Sequence, residues 1–324
     1  MKNRQNKLCW NWRYNMAEMR KLYGQALVEL GDENKNIVVL DADLSASTKT
    51  SMFKEAFPER HFNAGIAESN LMGMAAGLAV SGKIVFASTF AVFGTLRPYE
   101  IIRNLICHNN LNVKIVCTHA GVTVGEDGAT HQSVEDIAIM RALPNMKVFV
   151  PADAAQAYEI IKAQANVPGP AYIRLTRSGC NDVYKEGYKY NDCGAEILNE
   201  GKNISIFACG LMVDKALKAA QILADKNISA EVININRIKP IDEKAIIKSV
   251  NKTKLALSIE EHSIIGGMGS AVAEVIVRNY PVKMDFIGIE DTFGTSGKSD
   301  ELLKYFNLTQ TDIANKAISM LSDK

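Results

Sequence analysis

Residues 112–153 read NVKIVCTHAGVTVGEDGATHQSVEDIAIMRALPNMKVFVPAD, and their pattern decides the fold class. An apolar run (NVKIVCTH, 112–119) gives way to a polar loop punctuated by glycines. A helix-patterned stretch follows (SVEDIAIMRAL, 133–143), then a second apolar run (MKVFVPAD, 146–153). Short runs rich in Val, Ile and Phe read as buried strands, and a helix between two of them is the crossover that parallel strands need. Working outward, NIVVLDAD (36–43), GKIVFAS (82–88) and PAYIRLTR (170–177) repeat the strand signal. MAEMRKLYGQALVEL (16–30), ESNLMGMAAGLAVSG (68–82), RPYEIIRNLICHN (97–109) and DAAQAYEIIKAQA (153–165) repeat the helical one. This alternation predicts an α/β domain with a mostly parallel sheet.

The pattern breaks at SGCNDVYKEGYKYNDCGAEILNEG (178–201), which is polar and glycine-rich. Beyond it ISIFACG, ISAEVININ, LALSIEEH and KMDFIGI mark a second, smaller α/β set. The expected organisation is an N-terminal extension over 1–15, a first domain over 16–178, a linker over 179–200 and a second domain over 201–324. The fold class is therefore two α/β domains with mostly parallel sheets.

Composition narrows the function. Lys and Arg number 37 against 36 Asp and Glu, so no global field draws the chain to nucleic acid or an anionic membrane. The longest apolar run, LMGMAAGLAV, is too short to span a bilayer. The basic N-terminus lacks the apolar core of a secretory signal. Six cysteines are scattered without a C-x-x-C pair, several in strand-like runs, as expected of buried free thiols in a reducing cytoplasm.

Ligands of parallel α/β sheets gather at the loops after the carboxyl ends of strands. Asp41, Asp43 and Ser47 follow the first strand, Thr89 and Phe90 the second, His119 to His131 the third, and Arg177 ends PAYIRLTR. The loop GEDGATHQSVED (125–136) crowds four acids around His131. Its spacing does not fit an EF-hand, and no H-E-x-x-H or Cys/His cluster supports zinc, so no intrinsic metal site is expected. No G-x-S-x-G elbow supports a serine hydrolase. Ser133 with Asp136 reads as an S-x-x-D capping signal, with Glu135 and Asp136 as first-turn acids facing the helix dipole. Gly125, Asp127, Gly128, Thr130 and His131 then form either a ligand-gripping turn or a self-bonded one.

Several ordered motifs together resemble the C-terminal half of transketolase. GEDGATHQ is similar to that family's GEDGPTHQ loop, STFAVF (88–93) to its STFxxF segment, and FNAGIAES (62–69) to the region of its catalytic glutamate. RKLYGQALVEL with DADLSAS, RLTRSG, EEHSIIGGMGSAVAEVI and DTFGTSG extend the likeness over nearly the whole chain. The resemblance implies a thiamine-diphosphate pyrimidine-binding domain followed by the transketolase C-terminal domain. It makes Glu68 the catalytic carboxyl that bonds the cofactor's aminopyrimidine ring, the step leading to the ylide that stabilises acyl-type carbanions. Phe90 and Phe93 match aromatics around that ring, with Phe93 as the stacking partner. Asp43 and Leu44 match positions near the cofactor, across the boundary between chains. His119 and Asp127 match groups that bond the donor sugar's hydroxyls. Arg20, Ser47, His131 and Arg177 match the substrate-phosphate clamp, for which arginine's planar fork is suited. His131 is also carried as catalytic. Leu96 stands where the family often has a third aromatic.

The resemblance also implies a partner. Full-length transketolases bind the diphosphate through Mg²⁺ with a GDG-type motif, and LGDENKN (30–36) lacks its context. The metal ligands are thus expected on a separate N-terminal subunit, in a heterotetramer self-associated across a two-fold and acting on sugar phosphates in the pentose phosphate pathway. The same two-domain plan occurs in 1-deoxyxylulose-5-phosphate synthase, to which GIAES is closer. It also occurs in the beta subunits of 2-oxoacid dehydrogenases, which lack the GEDGxTHQ loop. A transketolase for branched-sugar phosphates and a non-catalytic scaffolding paralogue are the further alternatives; retention of Glu68, His119, Asp127 and His131 together speaks against the last.

Overall fold

The computed structural model describes residues 18–185 and 187–322. The expected extension over 1–15 lies outside them, as does Cys9. Among the described residues twelve strands form two sheets. In the first domain they are β1 (Ile37–Asp41), β2 (His61–Asn63), β3 (Ile84–Phe90), β4 (Val113–Thr118), β5 (Lys147–Phe149) and β6 (Ala171–Arg174). In the second they are β7 (Ala195–Asn199), β8 (Ile204–Ala208), β9 (Ala230–Ile235), β10 (Arg237–Lys239), β11 (Leu255–Ser263) and β12 (Lys283–Ile289).

The first sheet runs β10-β5-β6-β4-β3-β1-β2 and is parallel except for β10. The second runs β12-β11-β8-β9-β7 and is parallel except for β7. β1, β4 and β6 are buried along their whole length, which is why they appear in the sequence as unbroken apolar runs rather than alternating ones. The helix Met19–Glu33 buries Met19, Leu22, Tyr23, Ala26, Leu27 and Leu30, one face at helical spacing, against the helix Ala154–Ala165 and the sheet. Its Tyr23 hydroxyl bonds the Ser88 hydroxyl at 2.6 Å, fixing the helix over β3.

One expectation is corrected. The linker over 179–200 contains a strand: Ala195–Asn199 pairs antiparallel with β9 and belongs to the second sheet. Its alternation is masked by a half-exposed edge position. The second domain also donates β10 to the first sheet, antiparallel to β5. The two halves share one core, in which Leu71, Ile137, Met140 and Val148 cluster with Phe207, Ile233, Ile246 and Met268. Among the described residues Cys107, Cys117, Cys180 and Cys209 are buried and Cys193 is half-buried. No helix among them is long and apolar enough to cross a membrane.

Candidate active site

At β1 the strand order turns back, with β2 on one side and β3 on the other. Such a reversal opens a crevice at the carboxyl ends of the strands. The loops that the sequence singles out meet there.

Aromatic rings form the floor. Phe90 ends β3 and lies against the His119 imidazole, with centroids 3.8 Å apart and planes 24° apart. Phe93, one turn on, is 6.1 Å from Phe90 and nearly parallel to it. His131 meets Phe93 edge-on at 5.2 Å. Phe90 and His119 are buried, and Phe93 and His131 are half-buried at the mouth. The structure thus separates the two phenylalanines: Phe90 supports His119, and Phe93 is the ring left accessible.

His119 sits in the left-handed region (φ 58°), a backbone conformation that non-glycine residues adopt at a cost. Its Nδ1 is joined to the Thr118 hydroxyl at 2.8 Å, which orients the ring. Burial pushes its pKa down to about 3, and the positive charges of Arg20 and Arg177 and nearby His131 push the same way. The imidazole is therefore a neutral hydrogen-bonding group.

Cations ring the mouth. Arg20 donates from Nη1 to the Ser47 carbonyl at 3.1 Å and pairs through Nε with Glu18. Arg177 donates to the Val124 carbonyl and lies 3.7 Å from the Asp127 carboxylate. His131 Nδ1 contacts the Thr130 hydroxyl at 3.0 Å. Arg20, Ser47, His119, Asp127, His131 and Arg177 come from four segments, and Arg20, Arg177 and His131 all lie near enough to His119 to act on its charge.

Glu68 begins the helix Glu68–Val80 and is buried. Its Oε2 pairs with Arg97 Nη1 at 2.8 Å, and the Arg97 guanidinium lies 4.3 Å from the centre of the Phe93 ring. Sequence reasoning missed Arg97. The signal was present, because Phe93 and Arg97 are four apart at one helix turn and therefore neighbours. Asp43 is exposed with φ 62° and exchanges two bonds of 3.0 Å with Asn63, whose carbonyl also accepts from Gly65 N–H. Asp43 is thereby tied to the loop that leads into Glu68, and Leu44 follows it in the chain. Leu96 is 44% exposed at the rim.

The loop 121–134 is held from behind by the second domain. Glu261, at the end of β11, accepts the Thr123 N–H at 2.5 Å. Gly121 (φ 79°) presses on this carboxyl so closely that a Cβ there would stand 2.3 Å from its Cδ. Gln132 donates to the Thr295 carbonyl at 2.8 Å, and Ser296 to the Glu126 carbonyl at 2.7 Å.

The capping signal at Ser133 is overturned. The helix runs Asp136–Ala142, and the Ser133 hydroxyl has no hydrogen-bond partner among the described residues. Asp136 is fully buried and pairs with Arg174 at 2.8 Å and the Tyr172 hydroxyl at 2.6 Å, which hold it ionised below the usual carboxylate range against the opposing pull of burial. The first-turn N–H of Ala138 finds His262 Nε2 instead, at 3.3 Å from the other domain. A cap supplied across a domain boundary leaves no local spacing to read. Among the described residues no group of three or more His, Cys, Asp or Glu could hold a metal ion.

Comparisons with known proteins show the family to which these two domains belong. Residues 15–181 match the family described as transketolase, pyrimidine binding domain, and residues 194–313 match transketolase, C-terminal domain. A protein of Methanocaldococcus jannaschii named "Putative transketolase C-terminal section" is 52% identical over 92% of this chain and 94% of its own. A 6-deoxy-6-sulfo-D-fructose transketolase subunit of Clostridium sp. is 39% identical over 92% and 93%. The solved structure described as a split gene transketolase, inactive beta4 tetramer, superposes with a TM-score of 0.88 at 52% identity, covering 94% of this chain and 98% of that one. Transketolase of Campylobacter jejuni shares the fold at a TM-score of 0.80 and 23% identity, with 93% of this chain covering 46% of it. This chain belongs to the transketolase family and carries its pyrimidine-binding and C-terminal domains.

Proposed function

We propose that the chain is the C-terminal subunit of a two-chain, thiamine-diphosphate-dependent transketolase, which moves a two-carbon ketol unit from a ketose phosphate to an aldose phosphate. The observation that carries this reading is a buried carboxyl, Glu68, beside a half-buried aromatic ring, Phe93, at the mouth of a neutral, hydrogen-bonding floor. A planar aminopyrimidine needs one face to stack on and one carboxyl to bond its ring nitrogen, so these residues fit that half of the cofactor. The cofactor, when bound, supplies the thiazolium carbon that stabilises acyl-type carbanions.

The chain's own residues do the rest. Glu68 holds the ring and Phe93 stacks on it, with Phe90 behind and Asp43 and Leu44 at the edge. His119, oriented by Thr118, and Asp127 bond the sugar hydroxyls. Arg20, Ser47, His131 and Arg177 bind the substrate phosphate, the arginines through paired parallel bonds. The diphosphate and its Mg²⁺ belong in this reading to an N-terminal partner chain. Self-association is supported by the relative described as a beta4 tetramer, and a heterotetramer in the cytoplasm is the assembly proposed.

A second reading concerns the sugar. Besides the sulfofructose relative, an apulose-4-phosphate transketolase chain of Phocaeicola vulgatus is 35% identical over 95% of this chain. These names favour a ketose outside the pentose phosphate pathway over a 1-deoxyxylulose-5-phosphate synthase. Synthases such as that of Pelotomaculum thermopropionicum are 32% identical, and this chain spans 49% of their length.

The test is reconstitution. The chain is mixed with a candidate partner carrying a GDG-type motif, and two-carbon transfer between sugar phosphates is measured. Transfer is expected only with both chains, and Glu68→Gln is expected to lower it by on the order of 10²–10⁴-fold. Turnover by the chain alone, or a full rate with Glu68→Gln, defeats the proposal.

A further inference from the structure

The Arg97 guanidinium rests on two surfaces at once. Its Nη1 is 2.8 Å from Glu68 Oε2, and its carbon lies 4.3 Å from the centre of the Phe93 ring. Glu68 is 3% exposed whereas Arg97 is 50% exposed, so the carboxylate is fixed while the arginine reaches it from solvent. The backbone at Arg97 is also tethered, since Ser69 Oγ, next to Glu68, donates to the Arg97 carbonyl at 3.5 Å. The side chain can therefore swing about a stationary Cα.

These two surfaces are the ones that the proposed function assigns to the aminopyrimidine ring, and the present inference rests on that assignment. A guanidinium and an aromatic ring cannot occupy one face of Phe93 together. Nor can one carboxylate oxygen hold Arg97 and a ring nitrogen along the same direction. We propose that Arg97 is a competing internal ligand of the cofactor-ring subsite, covering Glu68 and Phe93 until the ring displaces it.

The arrangement has a physical use. A buried carboxylate without a partner is costly, and an exposed aromatic face invites nonspecific association. Arg97 satisfies the carboxylate and covers the face. Because it is half-exposed, its pairing is weak and its charge is readily returned to water. Displacement leaves Glu68 with the incoming ring as its hydrogen-bond partner. It also sets Arg97 at the rim beside Leu96, four and three residues from Phe93 respectively. Cofactor affinity is thereby lowered by the cost of moving one arginine.

The experiment uses thiamine, which has the ring but no diphosphate, with the full chain alone, and thiamine diphosphate with the reconstituted two-chain complex. Affinities are measured by calorimetry for wild type, Arg97→Ala and Arg97→Lys, with thermal melts to verify folding. Arg97→Ala is expected to bind both ligands about tenfold more tightly, equivalent to about 1.4 kcal/mol. Arg97→Lys, which keeps the charge but loses the planar fork, is expected to fall between. Unchanged or weaker binding by Arg97→Ala overturns the proposal, the latter making Arg97 a direct ligand of the cofactor. Glu68→Gln and Phe93→Ala separate the two readings: if neither changes ring affinity, the site assignment itself fails, whatever Arg97 does.

Discussion

His119 is neutral for two reasons that reinforce each other. It is buried, and the cations that surround it, Arg20 and Arg177 with His131, oppose a further positive charge. Its pKa is pushed down to about 3, below the value near 6.5 that it has in the unfolded chain. The sign follows from linkage: the unfolded state takes up the proton first, so His119 contributes stability that is present above about pH 6.5 and is lost as the pH falls toward 3. The His119 ring resonances should therefore stay flat in an NMR titration from pH 8 to 5. An inflection near 6.5 refutes the neutral assignment. At this scale the motif made His119, Asp127 and His131 legible. For Arg97 the spacing offered only its neighbour Phe93; its pairing with Glu68, 29 residues away, left no local sign.

At the scale of elements, the loop 121–134 depends on a strand end in the other domain. Glu261 accepts from Thr123 at its start, and Ser263 N–H donates to the Val134 carbonyl at 2.7 Å at its finish. Burial pushes the Glu261 pKa up to about 7, opposed by Arg174 and by the bond from Thr123, and assisted by Asp136. A raised carboxyl pKa means stability that is complete below about 4.5 and is lost as the pH rises through 7. Glu261→Gln removes that loss while keeping an acceptor for Thr123. Urea unfolding should thus show the glutamine variant gaining roughly 3 kcal/mol on wild type between pH 4.5 and 8. A pH-independent difference counts against a titrating Glu261. The sequence marked the EEH run only as part of a family likeness. Nothing local says that a carboxylate on β11 holds a turn that follows β4.

At the scale of the whole molecule, the two domains are joined by a shared core, beside which the first domain keeps a further cluster of its own. Phe207, Ile233 and Met268 cluster with Leu71, Ile137 and Val148, and β10 closes the edge of the first sheet at β5. Arg174 fastens the boundary from within, donating to Asp136 and to the Glu261 carbonyl at 2.9 Å. Breaking this buried pair would strand a charge. Calorimetry of the whole chain should accordingly give one cooperative unfolding transition, and residues 16–181 expressed alone should be aggregation-prone. Two well-separated transitions would falsify the shared-core account.

Local pattern was enough for the alternating strands and helices, the parallel first sheet and the gathering of polar loops at one edge, because burial on both faces imposes unbroken apolar runs and strand direction decides where loops emerge. Family motifs pointed to Glu68, Phe93 and the loop at 125–131. Only the tertiary structure decided that Asp136 is a buried ion pair, that His262 caps its helix, that β7 lies within the expected linker and that Arg97 sits on Glu68 and Phe93. Apart from the contact of Arg97 with Phe93, each of these rests on a partner distant in the chain, and periodicity carries no information about which distant groups desolvation will force together.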